Sequence, residues 1–414
     1  NFSANNWTLT IADAVDFIFK VADSLNRPCV INASLGTYIG SHDGQDAAAL
    51  IIDSLILDKP GRAMVCAAGN SGGEDPYHLR MDVDADTSFS WFQYNPTSGF
   101  GFGAVYFELW ADTADMNGVS FAMGADKVTG GFSFRGNMPF DNIQNRLNQV
   151  VFDTIFGAGG HTIGTVQTWA EEINGRYFMQ VLMPQPDSNQ YFFRMMATGD
   201  GAFDVWSGSW LATSDMVFSG LPGVATFPDI AHYVLPDIQQ SIVSSWACSP
   251  HVITVGNYTN RNSYLDVDSN LVTFSDVPGE ISPNSSWGPA RTGVLKPDVA
   301  APGDISVTSG KLDHLTNLLA APSLRPRVGL GGMHYRNGGT SMASPGVAGI
   351  AALYFQKCPQ ATAADILQAL RGTASTDGFT GTVPNFQWGY GKANGFDALV
   401  GSNFSAPTVS ATDG

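Results

Sequence analysis

Ser341 stands in the string Gly339-Thr340-Ser341-Met342-Ala343-Ser344-Pro345, which runs directly into the small-residue stretch Gly346 to Ala352. This order sets a hydroxyl where a glycine-rich turn becomes a buried helix, the place a serine nucleophile needs at a helix N-terminus. Gly338 and Gly339 supply conformational freedom and let a substrate backbone approach closely. The same residues also suit an ordinary serine N-cap on a core helix.

Two other segments favour the chemical reading. Val65-Cys66-Ala67-Ala68-Gly69-Asn70-Ser71-Gly72 is an apolar run ending in Gly-Asn, the pattern of a buried parallel strand whose carboxyl end faces a ligand crevice. Asn70 then sits at the rim, where its amide can donate to an oxyanion formed beside a serine. Asn-Ser-Gly is equally a good plain turn. Val30-Ile31-Asn32-Ala33-Ser34-Leu35-Gly36 is a second strand closing in Gly, and the backbone of Ser34 to Gly36 can pair with an extended peptide.

In this order, the serine turn, the Ala-Ala-Gly-Asn strand and the Ser-Leu-Gly strand resemble those of the subtilisin-like serine proteases, the subtilases. Lys296-Pro297-Asp298-Val299-Ala300-Ala301-Pro302-Gly303 and Trp388-Gly389-Tyr390-Gly391-Lys392-Ala393-Asn394 agree with that family. Gly346 departs from it, because many relatives carry His after the Pro. The resemblance implies a serine endopeptidase in which Ser341 attacks the peptide carbonyl and Asn70, with the Ser341 amide, holds the oxyanion. It further implies that Ser34, Leu35, Gly36, Ala67, Ala68, Gly69, Gly339 and Thr340 line the substrate, with the small residues of Ala67 to Gly69 leaving room for a sizeable side chain. No cofactor is required, and a structural calcium is common in the family, although the sequence identifies no ligand set.

The family's triad runs Asp, His, Ser along the chain, and both earlier residues precede the Ser-Leu-Gly strand. Here the residues before Ser34 contain no histidine; His42, His78, His161, His232, His251, His314 and His334 all follow it. His42 lies in the loop after that strand and suits a loop or capping role, and His251 and His334 are equally unremarkable. The chain is therefore expected to be the larger, C-terminal part of a subtilase, inactive alone, whose Asp and His come from an N-terminal part of the same precursor. The rival expectation is a pseudoprotease that keeps the serine and acts as a scaffold or regulator.

With 414 residues, two domains are the natural expectation. A net charge of -17 with 20 Lys plus Arg argues against nucleic acid and anionic membrane surfaces. The low charged fraction of 14% suits an extracytoplasmic or secreted enzyme, and no apolar run reaches the ~18 residues that span a bilayer. Cys29, Cys66, Cys248 and Cys358 read as free, mostly buried thiols with no zinc spacing.

The element order predicts an α/β fold, a doubly wound parallel sheet interrupted by an inserted antiparallel β-sandwich of jelly-roll type. A helix opens at Thr10 with Ile11, Ala14, Val15, Ile18 and Ala22 on one face, and Asp43 caps a second helix that buries Ala47, Leu50, Ile51 and Leu55. Val252 to Gly256 reads as a further core strand, Val294 to Ala301 as a partly extended segment, and Thr362 as the cap of a last helix using Ile366, Leu367 and Leu370. The predicted division is 1–73 and 247–401 for the subtilase domain, 74–246 for the insertion and 402–414 for a frayed tail. Within the insertion, Ala104 to Trp110, Arg176 to Leu182 and Tyr191 to Met196 alternate as strands do. On that insertion the chain is similar, more narrowly, to the Csp-type germination proteases of clostridia, as it is in following Ser-Leu-Gly with Gly-Ser-His-Asp-Gly. Trp91, Trp110, Trp206 and Trp210 read first as core and second as sugar-stacking platforms. Asp82, Asp84 and Asp86 alternate as in a calcium loop but read as solvated carboxylates. Asn284 to Pro289 resembles the family's serine-rich scaffold turn, and 311–333 looks like a flexible loop before the nucleophile.

Overall fold

Alternation of strand and helix organises the first part of the chain and its return after the insertion. The computed structural model describes residues 4–73, 76–97, 103–208 and 214–401, with side chains from residue 8 onward. Trp210 and the tail from Ser402 lie outside the described residues. The chain divides into two units, Asn1–Thr37 with His42–Gly72 and Ile242–Gly414, and Tyr38–Ser41 with Gly73–Ser241.

The first unit is built on a four-stranded parallel sheet in the order Cys29–Ala33, Arg62–Ala67, Ile253–Thr259 and Val299–Asp304. Every residue of Arg62–Ala67 is buried, as an inner parallel strand requires. The helix Thr340–Lys357 packs against all four strands, placing Val347, Ala351, Tyr354 and Phe355 in one core with Val65, Ile253, Val255 and Val299. This helix is not enclosed all round: Pro345, Gly346, Gly349, Ala352 and Leu353 form an exposed stripe at helical spacing.

Two helices differ from expectation in start and phase. The first runs Ala4–Ser24, so Thr10 is interior, and its buried side is Ala12, Val15 and Phe19, whereas Ile18 is exposed. The second runs Ala47–Leu57 and is capped by Asp46, whose carboxylate accepts the Ala49 N–H at 3.0 Å. It buries Ala48, Ala49, Ile52 and Ile56 and exposes Leu50 and Ile51, because a helix apolar on nearly every side does not announce its inner face. Asp43 instead pairs with Arg291 at 2.6 Å. Thr362 forms the expected capping box with Asp365, and the helix Ala363–Gly372 buries Ile366, Leu367 and Leu370. A short helix, Gly395–Val400, follows it.

Buried charge braces this sheet. Lys296 and Asp298 are both fully buried; the ammonium donates to Asp298 at 2.9 Å and to the Val252 carbonyl at 2.7 Å. Asp298 also accepts the Thr254 N–H at 2.6 Å and the Arg371 guanidinium. The Lys-Pro-Asp string thus ties the strands Ile253–Thr259 and Val299–Asp304 together.

The second unit is one antiparallel sheet of eleven strands. Along its path Arg176–Met183 pairs with Val105–Asp112, and Tyr191–Gly199 lies between Ser88–Gln93 and Val119–Lys127. Trp91, Trp110 and Trp206 are at most 3% exposed, so all three are core residues and offer no stacking platform. Glu108 is buried and satisfied by Tyr106 Oη at 2.8 Å, Gln180 Nε2 at 3.2 Å and the Gly40 N–H at 3.3 Å. His78 is clasped between Asp204 at 2.9 Å and Asp237 at 3.0 Å. Burial alone would lower its pKa, but the two carboxylates outweigh that and raise it to about 9.

Residues 311–333 are not a bare flexible loop. They form the helix Leu312–Ala320 and a turn, Arg325–Arg327, over a small core of Leu315, Leu318 and Val328. Apolar residues at helical spacing supply this structure, and the glycines at the end of the segment mask it in the sequence.

Candidate active site

The turn that carries Ser341 is delivered by a short hairpin. Ser306–Ser309 pairs antiparallel with His334–Asn337, after which Gly338 and Gly339 lead into the helix Thr340–Lys357. Gly339 has φ +90, and a Cβ there would stand 2.7 Å from Asn70 Nδ2 and 2.8 Å from its Oδ1, so only glycine fits. Thr340 closes the contact. Its N–H and its hydroxyl both donate to Asn70 Oδ1 at 2.9 Å, and the hydroxyl accepts the Gly69 N–H at 3.1 Å.

That clasp fixes the face Asn70 presents. With Oδ1 turned to Thr340, Nδ2 points away from those donors, and neither Nδ2 nor the Ser341 N–H has an acceptor among the described residues. These are two unclaimed donors, one at an exposed rim and one at a helix N-terminus, and each is of a type that can donate to an anionic oxygen.

Ser34 approaches from the strand end after Cys29–Ala33. Its Oγ donates to the Ser341 carbonyl at 2.8 Å and lies 3.1 Å from Ser344 Oγ. Pro345 explains why that carbonyl is available: an ordinary residue there would donate its N–H to Ser341 four residues back, and proline has none. The Ser341 Oγ makes only a long contact of 3.4 Å with the Ser34 carbonyl, its one partner among the described residues. A hydroxyl so loosely held is free to turn toward a substrate or a base.

The other expected substrate residues divide into two sets. Ser34, Leu35 and Gly36 are partly or fully exposed, with Leu35 at 42%. Ala67, Ala68, Gly69 and Thr340 are buried. The Ala68 carbonyl is taken by the Val243 N–H at 2.8 Å and the Gly69 carbonyl by the Ser286 N–H at 3.0 Å, so chain segments from Val243 and the serine-rich turn already line this strand end.

His42 is buried with its Nδ1 3.0 Å from the Ile242 carbonyl, a loop-fixing role. His334 opens the exposed end of the hairpin strand. No group of three or more His, Cys, Asp or Glu side chains among the described residues is placed to hold a metal ion, and Asp82, Asp84 and Asp86 are exposed. The four cysteines are free thiols; burial pushes Cys66 up to about 12 and Cys248 higher still, which removes them as nucleophiles.

Sequence reasoning passed over two side chains behind the turn, Asp304 and Asn257. Asp304 immediately follows Pro302-Gly303, one residue beyond the family string, and its carboxylate accepts the Gly339 N–H at 2.7 Å.

Residues 235–391 match the model of the subtilase family, described as peptidase S8. The chain is similar to serine protease AprX of Bacillus subtilis, with 31% identity over 166 residues, 40% of this chain and 33% of that protein. It is similar to the subtilisin-like protease SBT1.9 of Arabidopsis thaliana, with 25% identity over 72% of this chain and 38% of that protein. It thus spans 33% and 38% of the length of these two relatives. In fold it matches the structure of the Clostridium perfringens CspB protease with TM-score 0.64 and 17% identity, over 95% of this chain and 71% of that one. No helix among the described residues is long and apolar enough to cross a membrane. The matched segment contains Ser341 and the buried Lys296–Asp298 pair, so over residues 235–391 the chain is similar to the subtilase family of serine proteases.

Proposed function

We propose that this chain is the part of a secreted serine endopeptidase that carries the nucleophile and the oxyanion cradle. Ser341 Oγ attacks the scissile carbonyl of a polypeptide, and the resulting oxyanion is held by the Ser341 N–H and Asn70 Nδ2. The substrate lies extended along Ser34, Leu35 and Gly36, and Ala67 to Gly69 with Gly339 and Thr340 form the wall behind it. The observation that carries this reading is the Asn70–Thr340 clasp, which ties Asn70 Oδ1 to the residue before Ser341 and leaves Nδ2 without an acceptor among the described residues.

An unassisted serine hydroxyl is a weak nucleophile. The proposal therefore assigns the general base and its Asp to an N-terminal part of the same precursor. Two features support a further polypeptide on this side: the strand Cys29–Ala33 ends the described sheet with an open edge, and the nucleophile helix exposes its Pro345, Gly346, Gly349 and Leu353 stripe. In this division residues 1–73 and 247–401 make up the protease domain, and 74–246 an inserted sheet that closes as a jelly-roll-like sandwich. No cofactor takes part.

Treating the precursor that includes the N-terminal part with a fluorophosphonate probe, followed by peptide mass spectrometry, tests the reading. A single adduct on Ser341 supports it. An unlabelled Ser341 in a folded precursor instead supports a scaffold or regulatory pseudoprotease.

A further inference from the structure

Asp304 stands where the parallel strand Val299–Asp304 meets the nucleophile turn. Its Oδ1 accepts the Gly339 N–H at 2.7 Å, and its Oδ2 accepts Asn257 Nδ2 at 3.1 Å. Asn257 is fully buried, and its own Oδ1 has no partner among the described residues. The approach is tight. A Cβ on Gly338 would lie 2.3 Å from Asp304 Oδ1, and one on Gly303 would lie 2.7 Å from the Gly339 carbonyl oxygen.

The backbone is bent to make this contact. Ile305, directly after Asp304, has φ +54, a conformation a β-branched residue adopts only when its surroundings over-determine it. The bend sends the chain into Ser306–Ser309, which pairs with the strand that delivers Gly338 and Gly339. Successive amides of the turn are thus held by different carriers: Gly339 by Asp304 on one strand end, Thr340 by Asn70 on another. The next amide, that of Ser341, is the one left open for substrate.

We propose that Asp304, backed by Asn257, is a positioning residue of the acyl-transfer site. It touches neither substrate nor the reacting atoms. By holding the Gly338–Gly339 peptide plane, it keeps the Ser341 Oγ and N–H in register with Asn70 Nδ2. The inference rests on the reading of Ser341 as the nucleophile.

Two substitutions separate positioning from mere support. Asp304→Ala removes the acceptor. Asp304→Asn keeps an oxygen for Gly339, and a flip of the Asn257 amide brings its partnerless Oδ1 to accept from the new NH2. Both are made in the precursor that includes the N-terminal part, reading peptide hydrolysis and fluorophosphonate labelling, and in the present chain, reading hydrogen exchange of the Gly339 amide.

Asp304→Ala should lower kcat and the labelling rate about 100-fold, the scale on which catalytic geometry is lost by a small displacement, while KM changes less than about threefold. The Gly339 amide should exchange about tenfold faster. Asp304→Asn should restore all three readouts to within about fivefold of wild type. Unchanged Gly339 exchange or unchanged labelling in Asp304→Ala, or failure of Asp304→Asn to rescue either, overturns the proposal. A wild-type precursor that folds but neither labels nor hydrolyses peptide overturns the nucleophile reading, and with it the catalytic role of Asp304.

Discussion

Ser34 Oγ donates a 2.8 Å hydrogen bond to the backbone carbonyl of Ser341, filling the acceptor that Pro345 leaves open one helical turn later. A side chain on one strand end therefore completes the first turn of the helix that carries Ser341. Ser34→Ala strands that carbonyl and also removes the contact to Ser344 Oγ. It should cost about 1 kcal/mol of stability, read as a lower urea midpoint at unchanged m-value, whereas Ser34→Thr retains the donor and most of that stability.

Asn70 has two tasks that can be separated. Its Oδ1 anchors Thr340 and its Nδ2 is the proposed oxyanion donor. Asn70→Asp keeps two acceptor oxygens for Thr340 and loses the donor. In the complete enzyme that variant should fold as wild type but turn over about 100- to 1000-fold more slowly, the loss that subtilisin suffers when one such donor is removed. Wild-type turnover in Asn70→Asp, measured at saturating peptide, would rule out its Nδ2 as a donor.

The buried Lys296–Asp298 pair predicts a large effect from a small change. Asp298→Ala leaves the fully buried Lys296 ammonium with only the Val252 carbonyl. An uncompensated buried charge of this kind costs about 3–5 kcal/mol. The variant should melt several degrees lower or accumulate as insoluble protein. The same change at the exposed Asp313, whose partner Lys311 is 81% exposed, should be close to neutral.

His78 gives the inserted sheet a pH dependence of defined sign. Its folded pKa, about 9, lies above the ordinary value of 6.5. The stabilisation by Asp204 and Asp237 is therefore fully present below about pH 6.5 and is lost as pH rises through about 9. Urea unfolding of wild type should weaken on the order of 3 kcal/mol between neutral and alkaline pH. A His78→Gln variant should start lower and lose little further over that window. Equal pH slopes for the two proteins would contradict the clasp.

Strand ends were far easier to read from the sequence than helix faces, for physical reasons. Val65 to Ala68 is uniformly apolar because an inner parallel strand is covered on both sides, and its carboxyl end is marked by Gly69 and Asn70. In Ala47–Leu57 apolar residues surround the helix, so the inner face is chosen by packing partners such as Trp246 rather than by the pattern; in Ala4–Ser24 the exposed Leu9, Phe17, Ile18 and Val21 blur the phase set by the buried Ala12, Val15 and Phe19. Asp304 was not legible at all. Nothing local distinguishes a carboxylate after Pro-Gly from a solvated turn residue; only the fold brings it to Gly339, 35 residues onward.

The thiols offer a simple check on the core of the first unit. Cys66 and Cys248 are fully buried and held as thiols, whereas Cys29 and Cys358 are half-buried. Iodoacetamide at mildly alkaline pH should modify Cys358 first and leave Cys66 and Cys248 untouched until the protein is unfolded. Rapid native labelling of Cys66 would show that the strand Arg62–Ala67 is not the inner strand described.

Burst kinetics of an activated peptide ester with the complete enzyme test the central claim most directly, using wild type, Ser341→Ala and Ser344→Ala side by side. The account predicts an acyl-enzyme burst on Ser341 in wild type and in Ser344→Ala, and none in Ser341→Ala. A burst that survives Ser341→Ala, or that disappears in Ser344→Ala while the protein stays folded, would place the nucleophile elsewhere and contradict the account.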